Sequence, residues 1–555
     1  MGFTKNLDPR VPKKGSSGWR RRQLAAVFAA LILLGCGSDD EEGLGTVGYV
    51  EGFLGGVAAD EPKAALIGRE VLASGGSAAD AVTAMYFAMA VTLPSAASLG
   101  GGGVCVAYDS EKMETRALEF LARPPARIPP AADRPTAVPA NARGFFALHA
   151  RFGRLRWSQL LAPAENLARF GVQVSRSFGK DLNQVQDALL AEPEMRRIFK
   201  SSNTEEMVSE GDFVRQVDLS SVISNIRANG PGRFYTGPMA QQLVEAVKEA
   251  GGSLESTDLQ NYQPIWRDTI RLDLGRDVVH FPPPPPAGGA VAAQMWAMLD
   301  SGDRFEDASP EERPHLIAEV SLRAFSERER WAYDQGLIGI GVEELVADNQ
   351  IDELMRSYRE DRHVAPEQLG LMVEPLLENP SAASMVAVDN TGSAAACAVT
   401  LNSLFGTGRV APGTGIVLAS LPGQGGRGAT ALGPMLVVND HTPKFRFAAA
   451  ASGGAAAPVA MVQVAAETLL AGVPLKDAMA TKRVIGAGDP DVVYFEQFMP
   501  GLNLQNLSQR GHQLVQILSA GKVNAISCPQ SIPEYPESCV AATDPRGFGL
   551  ASTAD

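Results

Sequence analysis

Histidine is scarce in this sequence, at six residues in 555, and no Cys/His spacing has the form of a metal site. No cofactor is expected either. The four glycines Gly100 to Gly103 precede neither a Lys-Ser/Thr pair nor a helical pattern, so close backbone packing explains them better than a phosphate-cradling loop. Positive charge is also short, with 49 Lys and Arg against 63 Asp and Glu and a net charge of −14. Nucleic acid and anionic membrane surfaces are therefore not expected as partners. Beyond residue 36 no stretch of 18 apolar residues occurs, so the body is expected to be soluble. No internal repeat is present.

Residues 1–36 read as a targeting segment: a basic stretch ending in Arg20-Arg21-Arg22, an apolar run of 11 from Leu24 to Leu34, then Gly35-Cys36. Leu33-Leu34-Gly35-Cys36 resembles a bacterial lipobox, in which signal cleavage leaves the cysteine as the lipidated first residue. The expectation is an exported lipoprotein held in the membrane through Cys36 alone and facing the periplasm or the cell exterior. The alternatives are an ordinary secretory signal with a stray cysteine, or a twin-arginine signal at Arg21-Arg22. Residues 37–46, beginning Gly-Ser-Asp-Asp-Glu-Glu, read as a solvated tether. The targeting segment carries a net +6, and removing it from −14 leaves about −20 on the remaining 519 residues. That length suffices for a large core. Cys528 and Cys539 flank a Pro-rich loop, and in an oxidising compartment a disulfide between them is expected. Cys105 and Cys397 lie in apolar runs and read as small buried hydrophobes.

Gly56 to Val91 is Ala-rich and reads as two helical pieces broken at Gly75-Gly76. Val104 to Tyr108 reads as a buried strand. Residues 150–265 look mainly helical, with apolar stripes such as Leu160, Leu161, Ala164 and Leu167, or Ala240, Leu243, Val244 and Val247. Pro282 to Pro286 is expected to be extended. His315 to Phe325 reads as a helix, with His315 a helix-start or core histidine. Met385 to Asp389 and Ala394 to Thr400 are two strands joined by Asn390-Thr391-Gly392, a hairpin signal. Met435 to Val438 is strand-like, and a helix is expected from about Ala457 to Leu470.

These pieces, taken in order, resemble the gamma-glutamyltranspeptidase family. GGSAADAVTAMYFAMAV (75–91) and LGGGGVCVAYD (99–109) are similar to its N-terminal helix and Gly-rich strand. WSQLLAPAENLARFGVQVS (157–175), FYTGPMAQQLVEAVKEAGG (234–252), the Pro/Gly stretch at 282–289 and HLIAEVSLRAF (315–325) are similar to further blocks. LNSLFGTGRVAPGTGI (401–416) and ATDPRG (542–547) complete the series. The resemblance implies an α+β fold, a four-layer αββα sandwich of the N-terminal-nucleophile hydrolase type. It further implies a precursor cut by its own nucleophile, with residues 47–380 equivalent to the large subunit and 381–555 to the small one. The implied activity is transfer or hydrolysis of gamma-glutamyl groups from glutathione-type small molecules.

The resemblance also assigns the site, and there the sequence departs from it. Such chemistry needs a hydroxyl on the first residue of the new subunit, whose own amine serves as base after the cut. The family motif, counted back from Asp389, puts Ala382 at the nucleophile, with Ala383 and Ser384 following. If Thr391 centres the turn, position 382 lies opposite Thr400, so Thr400 and Asn402 match retained site residues. Ser381 is the substitute nucleophile to weigh, with Ser384 behind it, although a one-residue slip turns a strand side chain to the other face. The arginine that would pair with the glutamyl carboxylate becomes Leu121, with Arg123 two residues away as the stand-in, or else a surface arginine. The family's acid for the alpha-amino group falls in Leu421 to Gln424, where no acid occurs, and its serine pair becomes Thr430 and Ala431. Ser452-Gly453-Gly454 matches the oxyanion site, whose backbone N–H groups suffice for that role. Two readings follow. One is a catalytically degenerate, unprocessed, anchored binding protein. The other is an active hydrolase or amidase using Ser381 or Ser384.

Overall fold

Alternating apolar positions in short strands build two antiparallel sheets, whose strands are numbered here in chain order. The first sheet runs β13 (Leu550–Ala554), β1 (Gly55–Ala59), β7 (Ala382–Asp389), β8 (Ala394–Thr400), β2 (Gly102–Asp109), β3 (Glu114–Phe120) and β4 (Ile265–Arg267). The second runs β12 (Val540–Thr543), β11 (Lys522–Ile532), β10 (Lys444–Ser452), β9 (Met435–Asn439), β6 (Asp277–Phe281) and β5 (Ile270–Leu274). The computed structural model describes residues 52–202, 204–331, 341–369, 381–422, 431–486, 488–496 and 503–554. The targeting segment and tether, Cys36 included, lie outside them. The described residues all fall in the unit Gly52–Asp555.

Strand period sorts the layers. On β7, Ala383, Met385 and Ala387 join the core that contains α1 (Pro62–Ala73) and α2 (Ala78–Thr92). Val386 and Val388, on the opposite face, meet Leu436, Val438, Ala448 and Ala450 of the second sheet. The far face of that sheet packs on α3 (Ala287–Asp300), α4 (Arg313–Trp331) and α5 (Ala456–Leu469). The result is the expected helix–sheet–sheet–helix sandwich. Helix α2 starts in a capping box of Ser77 and Asp80, and its small side chains let all fifteen of its residues be buried.

Three expectations are corrected. The first helical piece begins as a strand: Gly55–Ala59 pairs with β13 on one side and β7 on the other, and helix starts only at Pro62. Alanine favours helix locally, but a fully buried slot between two strands overrides that preference. Cys105 and Cys397 are not free: they lie directly opposite on β2 and β8, with Cα atoms 4.1 Å apart, and form a disulfide. The proline run bends at 284–286. Elsewhere the Cys528–Cys539 disulfide is present, the hairpin forms, and helices span Trp157–Phe170, Pro238–Glu249 and Ala456–Leu469.

Candidate functional site

The end of the β7–β8 hairpin has the anticipated register, with Ala382 paired to Thr400. The Thr400 hydroxyl donates to the carbonyl of Ser381 at 2.6 Å and accepts from the Asn402 N–H at 2.9 Å. Asn402, at a φ of +64°, donates through Nδ2 to the carbonyl of Ser420 at 2.9 Å. Asparagine tolerates that left-handed conformation better than most residues. Thr400 and Asn402 thus tie the hairpin end to neighbouring backbone. Opposite them Ala382 offers a methyl group, which packs with Leu121 against Val104, Ala398 and Leu432. The positions assigned to the nucleophile and to the carboxylate-binding arginine therefore meet in one apolar cluster.

The two serines differ in what surrounds them. Ser381 is buried, and its Oγ has no hydrogen-bond partner among the described residues. Strand alternation groups 381 with Ala383 and Met385, on the helix side, while 382 belongs with 384 and 386 on the side between the sheets. Ser384 is fully engaged: its hydroxyl donates to Asp60 Oδ2 at 3.2 Å and accepts from Asn524 Nδ2 at 2.8 Å. Its N–H also donates to Asp60 Oδ2, at 2.8 Å. Among the described residues neither serine has an imidazole or amine within hydrogen-bond reach; Ser384 has only the Asp60 carboxylate and the Asn524 amide, and Ser381 has none.

Arg123 is committed elsewhere. Its Nη2 donates to Glu119 Oε1 at 2.7 Å, and its guanidinium lies 5.5 Å from the ring centre of Tyr262. Glu119, only 1% exposed, takes a second arginine, Arg267, on its other oxygen at 3.1 Å. Burial opposes the Arg123 charge, but Glu119 outweighs it and raises the pKa. Tyr262 donates to the Leu121 carbonyl at 2.9 Å and so pins the strand end beside the cluster. This Glu119–Arg267–Tyr262 clasp was not anticipated from the sequence, and its one signal is a glutamate inside a strand core. Thr430 and residues 423 and 424 lie outside the described residues, while Leu421 is buried.

Ser452, Gly453 and Gly454 connect β10 to α5. Both glycines have positive φ, +126° and +63°, and a Cβ on Gly453 would sit 2.6 Å from Gly521 Cα. Conformation and packing alone thus require glycine at 453. The Gly521 turn is held by Arg483, which donates to its carbonyl at 3.0 Å and to Asp544 Oδ2 at 2.6 Å. Burial works against the Asp544 carboxylate, but Arg483 and Arg546 overcome it and hold its pKa below the usual 3.8. The ATDPRG stretch therefore supports the turn against which Gly453 packs.

Solved structures with this architecture define the class. The chain is similar to a cephalosporin acylase from Bacillus halodurans, with a TM-score of 0.72, 21% identity and coverage of 93% of this chain and 99% of that one. This is the N-terminal-nucleophile hydrolase fold. A gamma-glutamyltranspeptidase from Pseudomonas nitroreducens matches 58% of this chain and 98% of its own, at 26% identity and a TM-score of 0.51. The sequence profile described as Gamma-glutamyltranspeptidase matches residues 64–421 and 422–554, and the chain belongs to that family. It is 27% identical to a glutathione hydrolase proenzyme of Pseudomonas aeruginosa, over 89% of this chain and 94% of that protein. It is 26% identical to glutathione hydrolase 3 of Arabidopsis thaliana, over 93% and 87%.

Proposed function

We propose that this chain keeps the fold of its family without the catalysis: an exported lipoprotein, anchored through Cys36, that stays uncut and binds a gamma-glutamyl or related small molecule rather than turning it over. The relatives' names, glutathione hydrolases, supply the ligand class. The observation that carries the reading is the apolar cluster of Ala382, Leu121, Val104, Ala398 and Leu432. A hydroxyl nucleophile and a guanidinium for the substrate carboxylate are wanted there, and methyl and isobutyl groups occupy both places. Loss of one group leaves room for compensation, whereas loss of both removes attack and orientation together.

One observation favours a second reading, an active gamma-glutamyl hydrolase or other amidase: the buried Oγ of Ser381 beside Thr400, with no hydrogen-bond partner among the described residues. Ser384, bound to Asp60 and Asn524, is the weaker substitute. Turnover of gamma-glutamyl-p-nitroanilide by the purified protein separates the two. The expected result is background release of nitroaniline by wild type and Ser381→Ala alike. Turnover that disappears in Ser381→Ala would establish the second reading.

A further inference from the structure

Three of the six histidines converge on the outer helix layer, away from the β7–β8 hairpin in sequence. His315 and Glu319 stand one turn apart on α4, and His512 follows the Leu504–Gln509 helix. One ligand atom from each lies within 4.8 Å of the other two, and all three side chains are buried. We propose that His315, His512 and Glu319 form a binding site for a single divalent transition-metal ion of the zinc class, unrelated to the family's acyl chemistry.

The outer contacts have the form such a site needs. His315 Nε2 donates to the Arg359 carbonyl at 2.8 Å, which fixes the proton there and leaves Nδ1 to accept from His512 Nε2–H at 2.7 Å, the proton that a bound metal ion would displace. Glu319 Oε2 accepts from Arg323 Nη1 at 2.6 Å, leaving Oε1 toward the cluster. His512 Nε2 lies 4.0 Å from that oxygen. His363 closes the shell: its Nδ1 is 2.6 Å from Glu319 Oε1, and its Nε2 is 3.1 Å from both oxygens of Asp491. It positions the carboxylate. Two imidazole nitrogens and a carboxylate oxygen suit zinc, cobalt or nickel far better than magnesium or calcium. Arg323 is an opposing positive charge, so micromolar rather than tighter affinity is expected. Bound there, the ion ties α4 to the His512 turn, a structural role consistent with the burial.

The sequence gives no sign of this set because the ligands sit in stretches separated by nearly 200 residues and share only the i, i+4 pair His315/Glu319. The test uses the full-length protein, stripped with chelator and titrated with zinc by calorimetry and with cobalt by visible absorption. Wild type and His441→Ala, a control at an exposed histidine, are expected to bind one equivalent, with a zinc-dependent rise in melting temperature. His512→Ala is expected to lose that binding. X-ray absorption of zinc-loaded wild type, which does not depend on any variant folding, is expected to count two imidazoles. No binding by wild type, an all-oxygen shell, or unchanged binding in a folded His512→Ala protein would overturn the proposal.

Discussion

Asp544 shows how the site's frame depends on single residues. It is 3% exposed, takes hydrogen bonds from Arg483 and Arg546, and also accepts the Val523 N–H at 2.9 Å. Asp544→Ala leaves the Arg483 guanidinium, itself 1% exposed, without its ion-pair carboxylate. Breaking a buried pair in this way costs about 3–5 kcal/mol, read as a loss of unfolding free energy in urea. The pH dependence has a definite sign. A carboxyl whose folded pKa lies below its unfolded 3.8 adds stability that is complete above 3.8 and is lost as pH falls through the lower folded value. The acid limb of the melting-temperature curve is therefore expected to be shallower in Asp544→Asn than in wild type. At the same scale, the contrast between Ala382 and Ser381 was legible in the sequence, because a strand's period of two decides which of two neighbours faces the partner sheet. The second arginine on Glu119 was not, since it depends on β4 arriving from residue 265 onward to bring Arg267 alongside.

Among the elements, those with a local punctuation signal were readable and those defined by distant partners were not. The β7–β8 hairpin announces itself through Asn390-Thr391-Gly392 and two alternating runs, and its register then put Ala382 opposite Thr400. Strand β1 carries only glycine, valine and alanine, and nothing local says that β13 and β7 will flank it. The Cys105–Cys397 disulfide was missed for the same reason: each cysteine looks like any buried small residue until β2 and β8, 292 residues apart, are paired. Closing so long a loop restricts the unfolded chain strongly, so the double substitution Cys105→Ala with Cys397→Ala is expected to destabilise by about 2–4 kcal/mol. Removing Cys528 and Cys539, 11 residues apart, is expected to cost less. Comparing the two pairs by thermal or urea unfolding checks the order.

On the scale of the whole molecule, the boundary at 380/381 is not a division of the fold. Strand β1 from before it lies between β13 and β7 from after it, β2 pairs with β8, and the second sheet takes β5 and β6 from one side and β9 to β12 from the other. An uncut chain and a cut one could therefore share this architecture, and architecture alone does not reveal processing. The Cys105–Cys397 bridge adds a practical consequence, because it joins the two regions covalently and would hold the products of a cut together unless reduced. An uncut chain is expected, because Ala382 supplies no hydroxyl to attack the preceding carbonyl. The direct measurement is the intact mass of the purified protein after full denaturation and reduction, with a reducing gel alongside. One species containing both regions is the result the account predicts, whereas two fragments meeting at Ser381 or Ala382, released only on reduction, would contradict it.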